Sequence, residues 1–434
     1  MRHDSFLMAG RGTFAAGAVA ALMTAWSPVA AQSSSPSDIQ VLRQQLDQLR
    51  AEQASAVRRI SELEAALARQ AAKPAPPVAT QSAAATPNGG SDGLLDRLDV
   101  SGDVRLRYEA NFGDRDARNR DRGVLRARLR ANYEVNDWLT VGGQIATGDP
   151  DDPNTTDVTL SNFDDDLQFS LDQAYVRIAS GNLVAYGGKI PLPFARTDLV
   201  WDGDVSPQGT SAAYKLPLGS GHAIKATGLY FLIDESVAGS NSDMAGVQIG
   251  FESDPAAPLR VELAVGYYDY SLRSVAGADS GDFRSNLIGP DGRYLSDFDL
   301  LDGIAAITYQ GLGERWPVRL VGNYVKNLGA ATDADTGFGV DLFAGRASKP
   351  NDWRFGYGYA ETEVDAVLAA FSHDNTNIPT NYLQHTLAID FVPTDNLILN
   401  ATYYRYRPKD ALYSLSNDPL DWLDRVRLNL LVNF

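Results

Sequence analysis

From Asp99 to Phe434 the chain alternates apolar and polar residues in short runs that recur. The first sets Val100, Gly102, Val104, Leu106 and Tyr108 against Ser101, Asp103, Arg105, Arg107 and Glu109. The second sets Leu125, Ala127, Leu129, Ala131 and Tyr133 against Arg126, Arg128, Arg130, Asn132 and Glu134. In the last, Val426, Leu428, Leu430, Val432 and Phe434 face Arg425, Arg427, Asn429, Leu431 and Asn433, with Leu431 the only breach. A period of two describes strands with one greasy and one wet face. Clear runs also lie at 184–190, 245–251, 259–267 and 397–403. Weaker ones lie near 138–148, 168–179, 209–216, 221–233, 300–310, 316–327, 337–346, 352–360 and 381–392. The count is about sixteen strands, with 14–18 as the range, because 209–216 and 337–346 carry little signal.

The connections alternate in length. Links such as Val135 to Asp137, Ser180-Gly181 and Pro393-Thr394 are tight. Long polar links follow every odd strand, at about 110–122, 149–167, 191–208, 234–243, 271–299, 328–336, 361–380 and 407–422. Transmembrane barrels segregate tight turns to one end and long loops to the other, and a soluble sandwich has no reason to do so. The expected fold is therefore all-β: a transmembrane antiparallel β-barrel over 98–434, preceded by a short α-helical coiled coil.

That helical segment has a different period. Ile39, Leu42, Leu46, Leu49, Gln53, Ala56, Ile60, Leu63 and Leu67 fall three and four apart, a heptad seam over 32–69 with a polar residue at its centre. An amphipathic helix lying against the barrel is the other reading. Residues 1–31 read as a signal peptide, with Arg2 and Arg11 before an alanine-rich apolar run and Val29-Ala30-Ala31 as the cleavage site. Residues 70–97, rich in Ala, Pro and Gly, read as a linker. An exported chain without a membrane helix re-enters a bilayer as a closed barrel. The expected location is the bacterial outer membrane, with the coiled coil in the periplasm.

Composition narrows the chemistry. A net charge of −17 argues against a nucleic-acid partner. The absence of cysteine removes thiolate metal sites. The second long link holds Asp149, Asp151, Asp152, Asp157, Asp164, Asp165 and Asp166. It reads as a solvated acidic loop before a divalent-ion site, since no complete calcium-loop spacing is present. Of His222, His373 and His385, two fall in a turn or loop and His385 has no serine beside it, so no catalytic residue, cofactor or metal is expected.

If the last strand closes onto the first, Arg105, Arg107, Arg126, Arg128, Arg130, Arg425 and Arg427 share one inner wall. Two readings stay open. The arginines line a pore, or they pair with Asp103, Glu109 and Glu134 and fill a polar interior. The third long link carries Phe194, Asp198, Trp201, Asp202 and Asp204 and is unusually apolar for an exposed loop. Such a loop is expected to pack inside the barrel and narrow it.

The terminal strand ending on Phe434 resembles the final strand of Gram-negative outer-membrane barrels. The segments G-K-I-P-L-P-F (188–194) and W-D-G-D-V-S-P-Q-G (201–209) resemble the putative porin family, related to phosphate-selective porins, over about 98–434. The resemblance implies a water-filled channel for passive diffusion of small hydrophilic solutes or ions. It does not extend to phosphate selectivity, since Lys189 and Lys225 are among few wet-face lysines. Expected partners are outer-membrane lipid and lipopolysaccharide, the solutes, and further copies of the chain, with a trimer favoured. The alternative is a structural tether or adhesin in which the coiled coil is the working part and the barrel an anchor.

Overall fold

The computed structural model describes residues 92–113, 119–161, 167–236, 240–273, 285–414 and 420–434. The signal peptide, the coiled coil and most of the linker lie outside the described residues. One helical turn, Asp92–Leu95, precedes the sheet. The strands are β1 (Leu98–Gly113), β2 (Arg120–Asn136), β3 (Leu139–Thr147), β4 (Val158–Leu160), β5 (Phe169–Ser180) and β6 (Leu183–Lys189). Then come β7 (Gln208–Gly219), β8 (His222–Asp234), β9 (Ser242–Glu252), β10 (Leu259–Ser271), β11 (Phe298–Tyr309) and β12 (Val318–Asn327). The last are β13 (Thr336–Gly345), β14 (Trp353–Thr362), β15 (Tyr382–Thr394), β16 (Leu397–Pro408) and β17 (Leu423–Asn433).

Every strand pairing among the described residues is antiparallel, and β1 pairs with both β2 and β17, so the sheet closes on itself. Sixteen strands form the barrel. The three-residue β4, which the alternation did not foretell, interrupts the second long loop and pairs with β2 beyond the end of β3. Closure continues to the last residue: the Gly102 amide donates to the Phe434 carbonyl at 2.8 Å, and the Phe434 amide returns a bond to Gly102 at 3.0 Å. A Cβ on Gly102 would meet the Phe434 ring at 2.6 Å and the Arg128 carbonyl at 2.5 Å. Only glycine lets the terminal ring lie flat over β1.

Long and short connections alternate as expected. The long loops, L1 to L8 in chain order, are 114–119, 148–168, 190–207, 235–241, 272–297, 328–335, 363–381 and 409–422. On every long strand a set of large apolar residues points outward and stays exposed. Leu106, Leu428, Val247, Ile249, Val265 and Leu387 are examples. In water that surface would be untenable, and in a bilayer it is the face that lipid covers. At the short-turn rim Trp353 stacks on Phe391 (4.4 Å) and Phe355 (6.2 Å), and Trp316 on Phe355 (6.3 Å). Such a belt suits the membrane–water boundary.

Not every aromatic near a strand end belongs to a belt. Tyr267 faces out, but Tyr268, Tyr270 and Tyr406 are buried inside. They join an interior apolar core with Phe231, Met244, Phe298 and Leu300 of the wall and with residues of L3 and L7. The barrel thus carries a hydrophobic core within its polar lumen, at the long-loop end.

Candidate functional site

The site is built where loops fold into the barrel. Closure brings β17, β1 and β2 side by side, and all seven arginines fall on their inward faces. They are extensively compensated. Glu109, fully buried, holds Arg427 and Arg122 at 2.7 Å each and Arg425 at 3.7 Å. Asp103 holds Arg126 (2.9 Å) and Arg128 (2.7 Å). Asp157 of L2 pairs with Arg105 and with Arg107, the latter at 2.6 Å. Asp204 of L3 binds Arg128 at 2.8 Å. Arg130 donates to Gln144 at 2.8 Å. Glu134 makes no ion pair with any of them among the described residues. Arg107, Arg126, Arg425 and Arg427 are each less than a tenth exposed. Asp103 and Glu109 therefore take the pairing roles that the compensated reading gave them, joined by acids from two loops.

Desolvation would on its own push the Asp157 carboxyl upward. Arg107 and Arg105 outweigh it and hold the group below its usual range. Asp149 and Asp151 of the same loop are exposed. No group of three or more potential metal ligands occurs among the described residues.

L3 enters the lumen because its own residues demand burial. Phe194, Leu199, Val200, Trp201 and Val205 are all buried. Trp201 meets Tyr268 edge-on at 5.5 Å and stacks on Phe371 at 5.8 Å. The three acids of the loop part company. Asp204 faces the arginine wall, bound to Arg128. Asp202 is buried beside Asp198, Asp374 and Asp204, and burial first and these carboxylates second push it well above the usual range. Asp198 remains exposed, bound by Arg196 of its own loop (2.9 Å) and by Asn375 (3.1 Å).

Asn375 belongs to L7, which sequence reasoning passed over. Val364, Asp365, Ala366, Val367, Leu368, Ala369, Ala370, Phe371, Ser372 and His373 are all buried. The run V-D-A-V-L-A-A-F is at least as apolar as L3, and the same test applied to it would have drawn it inside. A 3-10 turn, Ala369–Phe371, forms its apex. Asn286 of L5 binds the carbonyls of Val364 (2.8 Å) and Val367 (2.9 Å) and accepts from the Ala369 amide (2.8 Å). The Asp202 amide donates to the Phe371 carbonyl at 2.8 Å, and Arg427 donates to Asn375 at 3.1 Å. L3 and L7 thus join into one girder that reaches the arginine wall.

Beneath the girder lies a cavity of about 770 Å³. Its roof is Leu192 to Leu199 of L3 with His373 and Asn375 of L7. Its wall carries Gly250, Ala264, Ala306, Gly339, Gly356, Gly358, Ala360 and Ala388. Small inward residues on β9 to β15 leave the space open, whereas the opposite wall is filled by arginines and L2. None of the seven arginines borders this cavity among the described residues. A smaller cavity of about 210 Å³ lies on the L2 side, between Asp151, Asp172, Lys189, Asp204 and Phe371.

The closed barrel with tight turns at one end and inward loops from the other is a porin-like β-barrel fold. A family model described as putative porin matches residues 114–287. It points to a channel and not an enzyme. Among solved structures, OprB of Pseudomonas putida superposes with a TM-score of 0.53 at 14% identity, covering 80% of this chain and 96% of that one. At that identity the likeness is one of fold. The outer-membrane channel DcaP of Acinetobacter baumannii (TM-score 0.45, 15% identity, 78% and 97% coverage) is also similar. So is Salmonella typhi OmpF (0.47, 12%, 78% and 97%). No curated protein matches the chain.

Proposed function

We propose that the chain forms a water-filled channel for passive diffusion of small hydrophilic solutes or ions. L3 and L7 together narrow the route. The observation that carries this reading is the Gly- and Ala-lined cavity under the girder. A barrel that served only as an anchor would have no reason to keep this space open while burying two loops inside it. On this reading the tight turns lie in the periplasm and L1 to L8 outside, as long loops do in transmembrane barrels. Solutes then pass along the β9–β15 wall, beside Asp198 and Asp341. Association into trimers through the barrel belongs to the same proposal.

Stepwise conductance of the purified protein in planar bilayers is the test. Deleting residues 32–97 separates the channel from the tether. The shortened chain should conduct with the same unit step, and loss of conductance from a folded, shortened barrel would favour the tether.

A further inference from the structure

We propose that the cavity beneath the girder holds a docking site for the N–H-bearing head of a small organic cation, an ammonium or guanidinium group, built from Asp341 and Gln384 on the β13–β15 wall. The inference rests on the channel reading and names a solute class for it.

Alternation turns Gly339 and Asp341 of β13 inward, while Phe338 and Leu342 are exposed on the outer face. The register sets Asp341 opposite Gly358, and Gly358 opposite Thr386. One row further along, Gly339 lies opposite Ala360, and Ala360 opposite Gln384. Asp341 and Gln384 therefore stand at two corners of a bay floored by Gly339, Gly358 and Ala360. The floor is open at Gly339, where a Cβ would find no atom nearer than 3.9 Å. At Gly358 a Cβ would run into the Asp341 carboxylate, which leans across the bay toward Thr386.

Both corners present acceptors that lack a donor. Asp341 makes no hydrogen bond and no ion pair among the described residues, and the loops nearest it, L3, L6 and L7, are described throughout. Gln384 is 8% exposed; its Nε2 donates to Thr386 at 3.1 Å, and its Oε1 is buried without a partner. A buried acceptor left so is costly, and a donor that reaches it relieves the cost. The charge that bears on Asp341 is that of Asp198 on L3, a second acid. The basic heads bordering the cavity are engaged elsewhere. Arg196 pairs with Asp198 at 2.9 Å, and Arg319 pairs with Glu262 and donates to Thr308 at 2.9 Å. Lys225 of β8 donates to the Pro193 carbonyl at 3.3 Å and stands five strands from Asp341, so its charge pushes a cation toward the acidic side. A positive head with N–H donors thus meets charge-assisted acceptors along that side of the route. The cavity, about 770 Å³, has room for the body attached to it.

The test uses the full chain in a planar bilayer, in potassium chloride at pH 8, where carboxylates are ionised. The probes are n-butylammonium and n-butyltrimethylammonium, which has the same charge without N–H donors. n-Butylammonium should lower the mean unit current of the wild type, and Asp341→Asn should raise its half-blocking concentration about tenfold, the loss expected for a charge-assisted bond. The trimethyl probe should block the wild type more weakly. Gln384→Met should raise the half-blocking concentration of n-butylammonium and leave that of the trimethyl probe unchanged. Equal half-blocking concentrations in the wild type and Asp341→Asn, or equal potency of the two probes on the wild type, overturns the proposal. Heat-modifiable gel migration checks folding. Should Asp341→Asn misfold, Asp341→Ala must still weaken the block. Channels that conduct and are never slowed by n-butylammonium reject this site and leave the channel reading standing, whereas folded protein that never conducts rejects both.

Discussion

Trp201→Ala tests the girder most severely. The side chain is fully buried, stacked on Phe371 and edge-on to Tyr268, so nothing but protein surrounds it. Truncating a buried tryptophan costs about 3–5 kcal/mol, since the transfer term and the residual cavity add. That energy resides in the packing of L3 on L7 and on the β8–β11 wall, and the barrel hydrogen bonds do not depend on it. At about 1.4 kcal/mol per factor of ten, the detached state of L3 should gain roughly two to three orders of magnitude in population. The chain has no cysteine, so a reporter is simple to place. Val200→Cys sits at a buried position of the same loop. Methanethiosulfonate labelling of that cysteine should accelerate about a hundredfold or more in the Trp201→Ala background, and unit conductance should rise with added open-channel noise. Labelling and conductance both unchanged, in a barrel that still shows heat-modifiable migration, would refute the claim that Trp201 pins the constriction.

Further outcomes follow from other parts of the interior. Glu109→Gln leaves Arg425 and Arg427 buried with one partner fewer, and breaking such a pair costs about 3–5 kcal/mol, visible as a lowered urea midpoint in micelles. Gly339→Tyr should reduce unit conductance markedly without harming folding, because a Cβ there finds no atom nearer than 3.9 Å and the ring must enter the lumen. His373 in L7 accepts from the Asn375 amide at 3.1 Å and is neutral; burial lowers its pKa to about 4, against opposition from Asp198 and Asp374. Packed L7 therefore binds fewer protons than released L7, and its stability is full above pH 6.5 and falls as pH drops toward 4. The loss is about 3 kcal/mol over that span. Hydrogen exchange of L7 amides should quicken through this window, and His373→Gln should flatten the response. Asp202, raised by burial, acts in the opposite sense.

The wall of the barrel was legible because its code is local. Alternation places Leu428 out and Arg427 in, and turn lengths report which strand ends meet water. L3 was legible for a related reason: Phe194, Leu199, Val200 and Trp201 have no business in solvent. L7 carried the same signal in Val364 to Phe371 and was missed, since it was read as a link between strands and not weighed for burial. Tyr268, Tyr270 and Tyr406 stand near strand ends as belt aromatics do, and β-propensity favours aromatics on either face. Only the inward loops, absent from any local pattern, decide that these three meet a core. The arginine wall follows from alternation and closure, but its partners were half hidden. Asp103 and Glu109 lie on the strand beside it, while Asp157 and Asp204 arrive from loops whose path no periodicity encodes.

The central claim is that water and small solutes cross this barrel past a constriction made by L3 and L7. Single-channel recording of the purified wild-type protein in a planar bilayer addresses it directly. Discrete conductance steps that enlarge when Trp201→Ala frees the constriction are the expected result. Folded barrels, shown by heat-modifiable migration, that insert and yet never pass current would contradict it.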